Sequence, residues 1–149
     1  MQPESPLSAR TCGRRKRSRA RPAEARVEES RWIASALRRY VQWLRSLGSI
    51  KLRMVIFFGS YAKGTWRPGS DVDLVVVAEG LPEDTVDCHV LLTDVPRGIA
   101  GVGFQAHPYA PGDFLASLRS GNKMPLDALA DGQILYIDDG YRKKLLAAV

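Results

Sequence analysis

Apolar residues recur at every third or fourth position between residues 22 and 47, where Ile33, Leu37, Tyr40, Val41, Leu44 and Leu47 fall on one helical stripe and Gly48 follows as a natural stop. Trp32, Ala36 and Trp43 widen that stripe, so the helix is either buried on two sides or offers one side to a partner. The period then shortens. Residues 51–58 close on Met54, Val55, Ile56, Phe57 and Phe58, apolar on both faces as a central strand would be, and residues 71–78 predict a second strand. Between them lie a Gly59-Ser60 turn and a loop, residues 61–69. Pro82 and the acidic residues after it predict a helix over 83–93, with Asp87, His89 and Asp94 on its solvated face. A third strand is expected at 101–107, ended by Pro108, then short helices at 111–118 and 125–130. Gly132 stops the second of these before a strand at 133–137 and a terminal helix at 140–148. Strands alternating with helices imply an α/β (α+β) fold, a small mixed sheet flanked by helices.

Length and composition allow one modest core in the 149-residue chain, of which 45% is hydrophobic. No apolar run approaches the ~20 residues of a membrane-spanning helix, so no membrane role is expected. The N-terminal arginines are not followed by an apolar stretch and cleavage site, which argues against a secretory signal. Cys12 and Cys88 have neither paired nor metal-ligand spacing, which points to a reducing, cytoplasmic setting.

Charge is distributed unevenly. Residues 1–22 carry seven basic side chains, Arg10, Arg14, Arg15, Lys16, Arg17, Arg19 and Arg21, against Glu4, so the formal excess of +6 resides there. This Ser-, Pro- and Arg-rich stretch has no periodic apolar positions and is expected to be a disordered tail preceding a domain over 23–149. Residues 10–21 are either an electrostatic arm for nucleic acid or a solvated extension, and no aromatic interleaves the arginines as a stacking surface for bases would require.

The densest chemistry lies between Phe57 and Val77. Side chains alternate along a strand, so Asp71 and Asp73 share one face while Val72, Leu74 and Val76 take the other. Two carboxylates on one face repel unless a cation or donors satisfy them, and paired hard oxygens suit Mg²⁺ with substrate phosphates completing the coordination. Gly59 permits close approach of backbone to a phosphate, and Ser60 supplies a donor. Ser70 either caps the loop or meets substrate. Trp66 and Arg67 either hold a base or triphosphate or pack the loop onto the sheet.

Gly59-Ser60, ten intervening residues, then Asp71-Val72-Asp73-Leu74 resembles the nucleotidyltransferase signature of the DNA polymerase beta superfamily, and within it the small single-domain "minimal" nucleotidyltransferases. Ala62, Gly64 and Ser70 agree with the family pattern. Lys63 stands where arginine is common, keeping the charge without the bidentate fork. The resemblance implies that Asp71 and Asp73 hold Mg²⁺ against the triphosphate of ATP or another NTP, with Gly59, Ser60, Lys63 and Ser70 around the nucleotide. An acceptor hydroxyl then displaces pyrophosphate. It further implies a small helical HEPN partner in a toxin–antitoxin pair, or self-association, since so short a domain has no separate region for an acceptor.

One position departs from that pattern. Members of the superfamily carry a third carboxylate on the strand after the paired aspartates, and aligning the run from Gly103 to Pro111 puts Gln105 at its place. Glutamine offers one carbonyl oxygen but neither charge nor a proton acceptor at neutral pH. Either the site binds nucleotide with weak turnover, or His107 or Asp113 substitutes. His107 shares the face of Gln105, though an edge histidine without a task is the simpler account. Asp113 is most simply a first-turn helix residue.

Overall fold

The computed structural model describes residues 23–59, 72–95 and 103–148, with side chains from Arg31 onward. The chain divides into two compact units, Met1–Ala34 and Ser35–Val149. Of the first, the described part is the opening of helix α1, Ala23–Ser46. The second unit contains the rest of α1 and the elements β1 (Lys51–Phe58), β2 (Val72–Glu79), α2 (Thr85–Thr93), β3 (Phe104–Tyr109), α3 (Pro111–Arg119), α4 (Lys123–Asp131), β4 (Gln133–Ile137) and α5 (Asp139–Ala148).

Among the described residues, four strands form one mixed sheet in the order β3-β2-β1-β4. β1 lies antiparallel to both β2 and β4, and β3 runs parallel to β2. The continuous apolar run of β1 therefore occupies a central position, as its two-sided pattern demanded.

Alternation sorts the strand residues into two layers. Met54, Ile56, Val75 and Val77 pack with Phe114, Leu115 and Leu118 of α3, Ala128 of α4, and Tyr141 and Leu145 of α5. The opposite parity, Val55, Phe57, Val72, Leu74 and Val76, is buried as completely, from 0 to 8% exposed. On that side Tyr40 of α1 stacks on Phe104 of β3 at 4.6 Å and donates its hydroxyl to the Leu92 carbonyl of α2 at 2.6 Å. Burial pushes the Tyr40 phenol far above its ordinary range, so it stays a donor. Cys88 is a free, buried thiol, also raised by burial.

A register shift between Leu52 and Met54 marks a bulge in β1. It turns Arg53 toward two carboxylates at once, Glu79 at the end of β2 (Nε to Oε2, 2.7 Å) and Asp138 ahead of α5 (Nη1 to Oδ2, 2.9 Å). The Arg53 guanidinium holds the Glu79 carboxyl below its ordinary range.

Several boundaries differ from the sequence expectation. α2 begins at Thr85, because Asp84 caps it by accepting from the amides of Val86 and Asp87 at 2.9 and 3.0 Å. α4 begins at Lys123, two residues before Pro125, which its first turn accommodates because an amide there has no helical partner. β3 is the largest correction. Pro108 does not end it: the strand continues to Tyr109, and Pro108 pairs with Val76. β3 is an edge strand, where a residue without an N–H leaves the ladder intact.

Candidate active site

β1 ends and β2 begins side by side, since Phe58 pairs with Asp73 across the antiparallel ladder. The backbone leaves β1 through Gly59 at φ +86°, a conformation costly for any residue with a Cβ. Glycine is required for a second reason as well. A Cβ there would stand 2.5 Å from Oδ2 of Asp73, so the absent side chain is the space the carboxylate occupies.

Asp73 lies on the face whose later residues, Val75 and Val77, are fully buried. At the strand's opening burial is incomplete, and the Asp73 side chain is 27% exposed. β3 supplies the facing wall. Gln105 pairs with Asp73 and His107 with Val75, so both side chains share the face of Asp73. Nε2 of His107 stands 3.6 Å from Oδ1 of Asp73, too long for a hydrogen bond. The Phe58 ring backs the imidazole at 5.5 Å between centroids.

Thus the two oxygens of Asp73 have different neighbours, Gly59 for one and His107 for the other. Of the residues singled out in the sequence, Gly59, Asp73, Gln105 and His107 converge. Ser60, Lys63, Ser70 and Asp71 lie outside the described residues, as do Trp66 and Arg67. Asp113 sits exposed in the first turn of α3, and Asp87, His89 and Asp94 are exposed on and after α2.

Next to Gly59 opens a cavity of about 340 Å³ lined by Phe58, Gly59, Lys123, Met124, Asp127 and Asp131. The α4 residues here escaped the sequence reading. Their signal is faint: Lys123, Asp127 and Asp131 recur every four residues on a short helix, and Lys123 pairs with Asp127 at 2.9 Å. Gly132 seats this wall. A Cβ on it would meet the Ala128 carbonyl and lie 2.9 Å from both the Phe57 carbonyl and Cγ2 of Ile56, so only glycine lets α4 turn into β4 this close to β1.

A carboxylate and an imidazole 3.6 Å apart, with an amide residue at the register position across from the carboxylate, make a donor set that fits one divalent cation in part. Among the described residues no group of three or more His, Cys, Asp or Glu side chains gathers for a metal. No helix among them is long and apolar enough to cross a membrane.

Comparison with known proteins decides the family. The nucleotidyltransferase domain profile matches residues 35–110, a span running from α1 past β3 and including Gly59, Asp73 and Gln105. The chain belongs to the nucleotidyltransferase family. It is 30% identical over 122 residues to a protein of Methanocaldococcus jannaschii named as a candidate protein adenylyltransferase, covering 81% of this chain and 83% of that one. Among solved structures, a candidate nucleotidyltransferase from Sulfolobus solfataricus is similar over 78% of this chain and 86% of its own, with 18% identity and a TM-score of 0.45. A toxin–antitoxin structure with AMP-PNP is similar over 80% of this chain and 82% of its own, with 17% identity and a TM-score of 0.46. At such scores neither bears on the reaction.

Proposed function

We propose that this nucleotidyltransferase transfers a nucleoside monophosphate, AMP from ATP, to a hydroxyl on a protein or another acceptor. The observation that supports it most is the seating of the Asp73 carboxylate against Gly59. There a carboxylate abuts a bare stretch of backbone, the two elements that a metal–triphosphate complex requires, and Gly59 itself lines an open cavity. The relative from Methanocaldococcus jannaschii carries the name of a protein adenylyltransferase, which agrees with AMP as the group and a protein as the acceptor.

In this reading Asp71 and Asp73 hold the divalent cation, Mg²⁺ by the family resemblance, and Gly59, Ser60, Lys63 and Ser70 surround the nucleotide. Bound there, the cation would neutralise charge on the triphosphate. The backbone at Gly59 admits the phosphates without a side chain in the way. The acceptor oxygen forms a bond to the α-phosphorus as the bond to the bridging oxygen breaks; pyrophosphate leaves and the hydroxyl proton passes to solvent. Positioning by the protein carries most of the acceleration in such a displacement.

A second reading rests on Gln105. An uncharged amide directly across from Asp73 suits a subunit that binds nucleotide with weak turnover and acts chiefly by holding a partner. That partner would be a HEPN-type helical protein, with this chain as the antitoxin, or a second copy of the chain.

Incubation with labelled ATP and a divalent cation, in lysate of the source organism, tests both. Labelling of a discrete acceptor, lost when Asp71→Asn and Asp73→Asn are combined, is the expected result. Nucleotide binding without labelling would move the partner-holding reading to first place.

A further inference from the structure

The Asp73–His107 pair has a chemical consequence that carboxylates alone would not. Mg²⁺ is a hard ion that takes oxygen donors, whereas imidazole nitrogen suits first-row transition metals. Two donors sharing one ion at about 2.1 Å each stand roughly 3.0–3.5 Å apart. The 3.6 Å between Oδ1 of Asp73 and Nε2 of His107 is close to that separation and too long for a hydrogen bond between the two.

Three further observations agree. Gln105, at the register position directly across from Asp73, brings no charge, so the β3 side lacks the hard anionic donor that would favour Mg²⁺. Oδ2 of Asp73 is taken up against Gly59, which leaves Oδ1 as the oxygen presented toward His107. Both side chains are between a quarter and a third exposed, so the gap is reachable from solvent, and the Phe58 ring limits the orientation of the imidazole.

We infer that His107 is a metal-ligating residue, with Asp73 its partner ligand, and that the site accordingly prefers a first-row transition-metal dication to Mg²⁺. This inference rests on the reading of Asp73 as a metal ligand. It makes His107, rather than Gln105, the residue that sets which ion the protein uses.

Mn²⁺ is the most demanding probe, because it stands at the weak end of the transition-metal affinity series and shares the oxygen preference of Mg²⁺. The full-length protein would be titrated with Mn²⁺ in the presence of inorganic tripolyphosphate, which contains no nitrogen. Loss of the free-ion paramagnetic resonance signal reports binding, and competition with Mg²⁺ gives the affinity ratio. The wild type is expected to favour Mn²⁺ and to show electron-spin-echo modulation from a directly bound nitrogen. His107→Asp should bring the ratio down at least tenfold toward Mg²⁺ and abolish the modulation, with circular dichroism confirming that it folds. Absence of nitrogen modulation in the wild type, or an unchanged ratio in folded His107→Asp, would overturn the inference while leaving the Asp73 site standing. If folded Asp73→Asn binds Mn²⁺ as the wild type does, the inference falls together with the reading of Asp73 beneath it.

Discussion

β2 has two faces written in alternating residues, both buried along the strand and different only where it begins. Val72, Leu74 and Val76 lie fully buried on one side, together with Ala78 at 1% exposure. On the other side Val75 and Val77 are as deeply buried, but the row begins with Asp73, a quarter exposed beside Gly59 and His107. The comparison teaches that the candidate chemistry occupies the rim of a core layer rather than a surface of its own. At the start of the strand stability and chemistry fall to adjacent residues, so Asp73 and its neighbour Leu74 should fail in different ways when changed.

The sharpest test of that division is a pair of substitutions. Asp73→Asn should reduce nucleotidyl transfer by about 10³-fold or more, since even residues behind a metal ligand commonly cost 10- to 100-fold, while the urea midpoint stays near that of the wild type. Leu74→Ala, one residue on, should lower stability by about 2–5 kcal/mol through the cavity it leaves, with transfer per folded molecule retained. Equal loss of activity in both would break the comparison.

Gly132→Ala comes next. Its methyl group would press on the carbonyls of Ala128 and Phe57, and overpacking of this kind costs about 1–3 kcal/mol. Because Gly132 positions the cavity wall, nucleotide affinity should fall together with the melting temperature, unlike the case of Leu74→Ala.

On the sealed face, Tyr40→Phe removes the buried hydroxyl that satisfies the Leu92 carbonyl, and about 1–2 kcal/mol should be lost in chemical denaturation without change in transfer.

The smallest effect is one of pH. Burial pushes the Tyr141 phenol up to about 12, above the ~10 it regains on unfolding. A raised folded value means that this contribution is complete below pH ~10 and is lost as pH rises through 12. Urea melts at pH 9 and 11 should show stability falling over that interval, and Tyr141→Phe should make the fall shallower. A residual slope is expected, since burial raises Tyr40 in the same direction.

Much of the fold was legible because local and long-range signals agreed. β1 and β4 have the bounds that apolar runs and glycines predicted, at Lys51–Phe58 and Gln133–Ile137. β3 was harder. Proline usually reads as a stop, and only its place at the sheet edge, a property of strand order rather than of local sequence, lets the strand run through it. The candidate site divides along the same line. The nearness of Gly59 to Asp73 follows from a short motif on two antiparallel strands. Alternation put His107 on the same face as Gln105, but its approach to Asp73 depends on the parallel register of β3, which sequence does not reveal. The α4 wall was invisible for a different reason. Lys123, Asp127 and Asp131 look like an ordinary solvated helix face until Gly132 brings them against β1.

Pro108 has a consequence beyond the length of β3. The outer margin of an edge strand is a template on which a further chain can add, and unprotected margins of this kind lead to open-ended association. A proline in the middle of that margin has no N–H to offer a newcomer. The residue that hid the strand in the sequence thereby leaves one rung out of the ladder a newcomer would climb, and this end of the sheet is biased toward remaining its end.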